Sequence, residues 1–414
     1  MNLPFVTAEF LAFLQLRFFM AVAWHMQALV VSWYVYDLTR DPLWLALVGL
    51  AEAIPAIGMA MPMGYVVDRL DKRRGIRVAV LMFLASALGT ATLLQPTTLQ
   101  TIGIGAVLNG LLAMIVINGA GRIVYSPSMF SSLGRIVERE HIPRASAFNS
   151  AVWQAAMVTG PVVGGLLYGF YGIEVASMTI LGLMAIGGIG ALRITPKPPV
   201  KHESQGSMRE DLTLGIRFIF SRPVILGALS LDLFAVLFGG VVALLPVFAK
   251  DILKTDEAGL GLLRAAMGLG SIITMVLVAW RPIGRNAGRR LLWSVAGFGI
   301  SILCFAVSTS FWLSMALLVL AGGFDAVSVV IRHTILQLQT PEEMKGRVAA
   351  ANTMFISSSN ELGAVESGIA ARLFGTVPSV LIGGTVTLAV VAVVAITNKA
   401  LRHATIHSEP DRHQ

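Results

Sequence analysis

Apolar runs, each closed by a cluster of charge or a Pro/Gly break, recur along the whole chain. A helix that crosses a bilayer takes roughly 20 apolar residues. The pattern therefore predicts twelve spans, near 10–36, 43–67, 76–95, 101–125, 148–170, 173–193, 224–249, 258–280, 291–308, 311–332, 348–371 and 378–397. The expected fold class is all-α, a polytopic membrane protein. The first run reads as a span rather than a cleaved leader: no basic segment precedes it, it holds Arg17 and His25 internally, and it leads directly into a second span.

Composition sharpens this reading. Of 414 residues 56% are hydrophobic and only 13% charged, against about 25% charged in soluble domains. Mean hydropathy is +0.76. Twelve spans and their connections fill the chain, leaving no room for a separate catalytic or DNA-binding domain. A single cysteine, Cys304, excludes an internal disulfide framework and a cysteine metal cluster.

The net charge of +8 would raise nucleic acid as a partner in a soluble protein. Its placement says otherwise. With a cytoplasmic N-terminus, 25 of the 31 lysines and arginines fall in inside loops, the central segment and the tail. The outside loops keep Arg40, Lys250, Lys254 and Arg372, while Arg17 and Arg264 lie within spans. This is the positive-inside bias. It predicts a multi-pass protein of the inner (cytoplasmic) membrane, both termini cytoplasmic, with no nucleic-acid partner.

The longest polar stretch separates spans 6 and 7. It predicts four segments: a bundle over 1–193, a cytoplasmic linker over 194–223, a second bundle over 224–397 and a tail over 398–414. Thr195-Pro-Lys-Pro-Pro199 reads as linker, and Met208 to Ser221 as an amphipathic helix on the inner membrane surface. Faint self-similarity points to duplication. Arg144…Asn149 and Arg347…Asn352 both read R-x4-N at the entry of spans 5 and 11, and Arg122 and Arg332 end spans 4 and 10. Parallel six-span repeats are one recurring transporter plan.

Here the residues resemble a family. Gly64-Tyr-Val-Val-Asp68-Arg69-Leu-Asp71-Lys72-Arg73-Arg74 resembles the loop 2–3 signature of the major facilitator superfamily, G-x3-D-R/K-x-G-x-R/K-R/K, with Asp71 where Gly is usual. Ala156-x3-Gly160-Pro161-Val-Val-Gly164-Gly165 is similar to the span 5 signature of drug:proton antiporters, with Ala156 for Gly. The tract from Gly346-Arg347 to Gly363, with Ser359-Asn360-Glu361-Leu362-Gly363, is similar to the group of enterobactin exporters and macrolide efflux proteins. The resemblance implies the major facilitator fold, two six-helix bundles. In its terms Gly64, Asp68, Arg69, Arg73 and Arg74 would form a conformational latch, with Asp68 pairing loop arginines or facing a helix N-terminus. The same charges also serve as inside-facing topology markers. Gly160-Pro161 and Gly164-Gly165 permit close helix approach and a bend, for packing or for gating.

Polar residues within spans are expensive and by default functional. Span 1 carries Gln15, Arg17, His25 and Gln27, and helical spacing puts Arg17, Met20, Trp24 and Gln27 on one face, with His25 off it. His25 is either a packing residue or a proton carrier. Glu52, before Pro55 in span 2, is either a reversible proton site or one half of a permanent ion pair, for which Arg17 is a candidate. Asp232 lies in span 7. Asp325 and Arg332 share a face of span 10, where Arg332 either pairs Asp325 or marks the cytoplasmic end. Spans 1, 4, 7 and 10 line the cavity in the family, which makes Arg17, Gln27, Asn109, Asp232 and Asp325 the expected lining residues. Glu52, Asp232, Asp325, Glu361 and Glu366 are the proton-coupling candidates, the glutamates alternatively joining the two halves.

No nucleophile elbow, Walker Gly-x4-Gly-Lys-Ser/Thr or metal-ligand spacing occurs, so neither an enzyme nor a cofactor or metal is expected. The leading expectation is a secondary active transporter that exports an amphipathic, drug-like or siderophore-like molecule in exchange for protons. Its partners are that small molecule, protons and membrane lipid. A facilitator or importer on the same scaffold, and a non-transporting membrane protein, stay open.

Overall fold

The computed structural model describes residues 6–58, 71–195, 208–280 and 286–404. Every regular element among them is helical. In chain order these are α1 Ala8–Thr39, α2 Pro42–Gly58, α3 Lys72–Leu93, α4 Pro96–Ile136, α5 Ile142–Arg193, α6 Met208–Ser221, α7 Pro223–Phe238, α8 Val241–Val247, α9 Glu257–Trp280, α10 Ala287–Val307, α11 Phe311–Gln339, α12 Lys345–Phe374, α13 Thr376–Thr397 and α14 Lys399–Arg402. Among the described residues, nine segments are long and apolar enough to cross a membrane. One of them, α5, runs 52 residues with Gly172 at φ 84° inside it, and so supplies two spans. The apolar α2 is shorter. Helix α12 is long but more polar, and it keeps Ser359, Glu361 and Ser367 buried. With these, each of the twelve expected segments has a helix.

The chain divides into two compact units. One comprises Met1–Glu203 together with Leu245–Ala265, the other Ser204–Leu244 together with Ala266–Gln414. In the first unit α1 packs most extensively on α5, and α3 on α4. Phe10, Phe13, Leu16, Met26 and Leu29 are completely buried and point to different sides of α1, which is enclosed nearly all round. In the second unit α10 packs on α11 and α13, and α7 on α12 and α13. Helix α6 exists where the amphipathic stretch was expected, and it rests on the start of α12: a Cβ on Gly215 would lie 2.5 Å from the Arg347 carbonyl oxygen.

The faint sequence repeat has a backbone counterpart. A 3-10 turn at Arg139–His141 precedes Ile142, and another at Glu342–Met344 precedes Lys345. Gly172 (φ 84°, ψ 171°) breaks the first helix and Gly375 (φ 89°, ψ 157°) ends the second. Each pair is separated by 203 residues, the same spacing as the two R-x4-N motifs. A side chain is strained at such a positive φ, so both hairpins turn on the residue type that tolerates it.

Two spans depart from expectation. Span 7 was expected to be continuous over 224–249, but it breaks at Gly239–Gly240 and continues through Pro246 into a π-helical turn at Phe248–Ile252. Close packing explains the glycines. A Cβ on Gly240 would lie 2.8 Å from Ser367 Oγ, and one on Gly239 would lie 2.9 Å from the Phe298 ring. Span 4 was expected to end near Arg122; helix α4 instead runs on to Ile136 with Pro127 inside it. Within a membrane, neighbouring helices and Ser side chains re-satisfy the backbone groups a proline frees.

Candidate functional site

Because α4 continues past Arg122, that residue belongs to the helix body and not to an inside loop. Its guanidinium lies 3.8 Å over the Trp24 ring. Arg17, from α1, lies 4.2 Å over the Trp153 ring of α5. The two indoles are 5.7 Å apart, and His25 packs on both, at 5.3 Å from Trp24 and 5.5 Å from Trp153. These groups flank a cavity of about 210 Å³ in the first unit, whose wall is completed by apolar side chains such as Met20, Phe83 and Met184, and by Tyr125. The buried Tyr125 hydroxyl sits beside Arg17, close enough for a side-chain hydrogen bond from its guanidinium, while Arg17 Nε has no hydrogen-bond partner among the described residues.

Helical spacing on α1 found half of this site. Arg17, Met20 and Trp24 line the cavity. Gln27 on the same stripe does not. It is 4% exposed, donates to Thr90 Oγ1 at 2.9 Å and to Ser86 Oγ at 3.3 Å, and accepts from Asn118 Nδ2 at 3.3 Å. Four polar groups thus satisfy one another between α1, α3 and α4. Asn109 is exposed on α4. Arg122, Tyr125 and Trp153 were not foreseen. The Ser-Pro-Ser tract at 126–128 reads locally as a helix end, and Arg122 before it as a topology charge.

Glu52 is paired at 3.9 Å, with Arg122 and not with Arg17. Arg264, expected within span 8, donates to Ser32 Oγ at 3.1 Å. The residues just before it are held in the same unit by charge. Tyr36 donates to Asp251, Lys250 pairs with Asp37, and Arg40 meets Asp251 at 3.1 Å and Asp37 at 3.5 Å. Glycines allow the backbone approach below them. A Cβ on Gly160 would lie 2.8 Å from the Val22 carbonyl oxygen; one on Gly165 would lie 3.0 Å from the Gly261 Cα; one on Gly261 would lie 2.5 Å from the Pro161 carbonyl oxygen. The span 5 motif therefore packs on α1 through Gly160 and Gly164, and on the start of α9 through Gly165.

In the second unit the buried Asp232 and Arg332 form an ion pair. Asp325 is near enough that both act on it electrostatically, and His333 lies beside the pair. Glu361 is 7% exposed, and Glu366 approaches Ser367 Oγ at 3.5 Å. Of the latch residues, Gly64, Asp68 and Arg69 lie outside the described residues. Asp71, the departure from the signature, caps α3: its carboxylate accepts from the Arg73 backbone N–H at 3.3 Å. Arg73 and Arg74 follow in the first turn. One grouping had no counterpart in the sequence reading: Glu138, Glu140 and His141 bring their ligand atoms within 4.8 Å of one another, largely exposed, in the turn before α5.

Comparison with known proteins agrees with the twelve-segment helical plan. The enterobactin exporter EntS of Escherichia coli (strain K12) is 27% identical over 281 residues, which cover 67% of this chain and 66% of that protein. The same protein from Shigella dysenteriae serotype 1 (strain Sd197) matches to the same extent. The aligned stretch thus falls just short of two thirds of those relatives' length. Among solved structures, a D-xylose-proton symporter superposes with TM-score 0.73 at 14% identity, covering 96% of this chain and 98% of that one. A bacterial homologue of the iron transporter ferroportin, in its inward-facing state, gives 0.72 at 14% identity, with 96% and 99% covered. These likenesses show the fold. The family model described as Major Facilitator Superfamily matches residues 13–364, and the chain, a multi-pass membrane protein, belongs to that superfamily.

Proposed function

We propose that this protein is a secondary active transporter that exports an amphipathic small molecule, drug-like or siderophore-like, across the inner (cytoplasmic) membrane by alternating access, in exchange for protons. The observation that carries this reading is the similarity to enterobactin exporters over 281 residues, supported by a cavity of about 210 Å³ walled by aromatic, methionine and arginine side chains. Both termini are proposed to be cytoplasmic, with membrane lipid around the spans and no nucleic-acid partner. The bundles are proposed over 1–193 and 224–397, joined by the linker 194–223 and followed by the tail 398–414.

Charge balance supports proton coupling. Asp232 and Asp325 share the neighbourhood of Arg332, which leaves one negative charge that a proton would neutralise. Protonation biases the conformational equilibrium only by its differential affinity for the two states. Glu52, Glu361 and Glu366 are the other proton candidates. Variants Glu52→Gln, Asp232→Asn, Asp325→Asn and Glu361→Gln, assayed in inverted vesicles, are expected to include at least one that loses tenfold or more of its pH-dependent transport. If all four kept normal coupling, the carboxylate assignment would be wrong. Uptake that survived collapse of the proton gradient would point to a facilitator. The substrate itself is best found by comparing exported small molecules in a deletion strain and its parent.

Gly64, Asp68, Arg69, Arg73 and Arg74 are proposed as the inner-face latch. Asp68→Asn is expected to change, severalfold, the rate at which thiol probes reach single cysteines from each side. Unchanged rates would refute the latch.

A further inference from the structure

We infer that the cavity of the first unit selects an aromatic anion, a planar ring bearing a carboxylate or phenolate-type oxyanion, and rejects aromatic cations. This rests on the transport reading above and names the chemical class of its substrate. Three guanidiniums, Arg17, Arg122 and Arg264, surround His25 closely enough to act on it electrostatically. Glu52 faces this group from α2, 3.9 Å from Arg122 and acting also on Arg264. Arg17 has no carboxylate partner among the described residues, and its Nε has no hydrogen-bond partner among them. Among the described residues, no carboxylate lines the cavity. Positive charge held away from water without a matching acid is costly, and an entering anion would relieve it.

The aromatic part follows from the walls. The guanidinium carbons of Arg17 and Arg122 lie 4.2 Å and 3.8 Å from the ring centroids of Trp153 and Trp24, distances at which a guanidinium stacks on an indole. Such stacking uses the face of a guanidinium, whereas its N–H donors radiate in the plane, where they meet a planar oxyanion in a fork. The buried Tyr125 hydroxyl beside Arg17 adds an O–H that can donate to the same oxyanion even while its oxygen accepts from the guanidinium. Phe83, Met20 and Met184 supply apolar and polarisable surface to a ring. A volume of about 210 Å³ exceeds the ~150 Å³ in which an apolar cavity takes up benzene. A small inorganic anion would leave those walls unfilled. A cation would meet two arginines, and like-charge juxtaposition is the usual device by which a site rejects a partner.

The test uses the full chain in lipid nanodiscs and isothermal titration calorimetry with four probes: 2-naphthoate, 2-naphthylmethanol, (2-naphthylmethyl)trimethylammonium and sulfate. Naphthoate is expected to bind at least tenfold tighter than each of the other three. Arg17→Gln and Arg122→Gln are each expected to weaken naphthoate tenfold or more while changing naphthylmethanol less than twofold. Arg17→Lys, which keeps the charge without the fork, should recover part of the loss. Binding of the ammonium probe as tightly as naphthoate, or of sulfate as tightly, would overturn the proposal. So would unchanged naphthoate affinity in both glutamine variants. Should those variants not fold, the ranking of the four probes by the unaltered protein decides the matter. The two readings can fail separately: if the deletion strain lost export of cationic compounds only, transport would stand and this inference would fall. If no exported compound changed, the transport reading would fail while the calorimetric ranking still judged the cavity.

Discussion

Asp232→Asn is expected to lower the stability of the second unit by about 3 kcal/mol, because it leaves a buried guanidinium without its counter-charge. Asp232 and Arg332 are 7% and 3% exposed and form an ion pair. Breaking such a pair by removing one partner typically costs about 3–5 kcal/mol, more than the pair itself contributes. The lower end applies here, since Asp325 lies on the same helix as Arg332, two turns back, close enough to act electrostatically within the cluster. A loss of this size corresponds to a fall of ~6–12 °C in the midpoint of thermal unfolding in detergent. The informative comparison is Asp232→Asn combined with Arg332→Gln. With both charges gone, most of the loss should be recovered. A double variant as unstable as the single one would show that the penalty does not come from the orphaned charge.

The second large effect is expected at Gly165. On one side of α5, a Cβ there would lie 3.0 Å from the Gly261 Cα and 3.2 Å from the Ala258 Cα. Both neighbours are backbone atoms, which cannot give way as a flexible side chain can. Gly165→Val should therefore force α5 and the segment 257–261 apart. Overpacking of this kind costs about 1–3 kcal/mol. The proposed transport is expected to fall at least tenfold, since the Gly-Pro motif and the charged cluster around Asp251 hold the same segment. Gly182→Ala is the control on the same helix. Nothing lies within 4 Å of a Cβ there, and transport should stay within twofold of the parent. If Gly165→Val behaved like this control, the close approach would have no bearing on the cycle.

Much of the architecture is visible in local patterns. Each span is recognised from its own residues, because transfer of a helix into lipid is close to a sum over the side chains it carries. The glycine hairpins at Gly172 and Gly375 follow the same logic, since a positive φ is a demand on one residue. The R-x4-N motifs at Arg144 and Arg347 marked a repeat that the backbone shares, turn for turn, at the same spacing. Asp71 looked like a flaw in the signature and proves to be a helix cap. An N-cap contact of this kind reaches two residues along the chain, so local reading could have proposed it.

The site was legible only in part. Arg17, Met20 and Trp24 were found because they share a helix face, a relation within one element. Gln27 shares that face too, but what it meets is Ser86, Thr90 and Asn118 on two other helices. Arg122 was counted among loop charges because the tract at Pro127 resembles a helix end; packing around α4 carries the helix through it.

By itself, then, the sequence determined the number of spans, the helical class and the clustering of basic residues between spans, all properties that add residue by residue. The tertiary structure alone decided which arginine stacks on which tryptophan, that Glu52 faces Arg122 and Asp232 faces Arg332, and that residues 245–265 join the first unit. Those are relations between pairs of distant residues. The low-dielectric interior makes an unpartnered charge costly wherever it lies, so physics requires that partners exist, while only the packed chain says which they are.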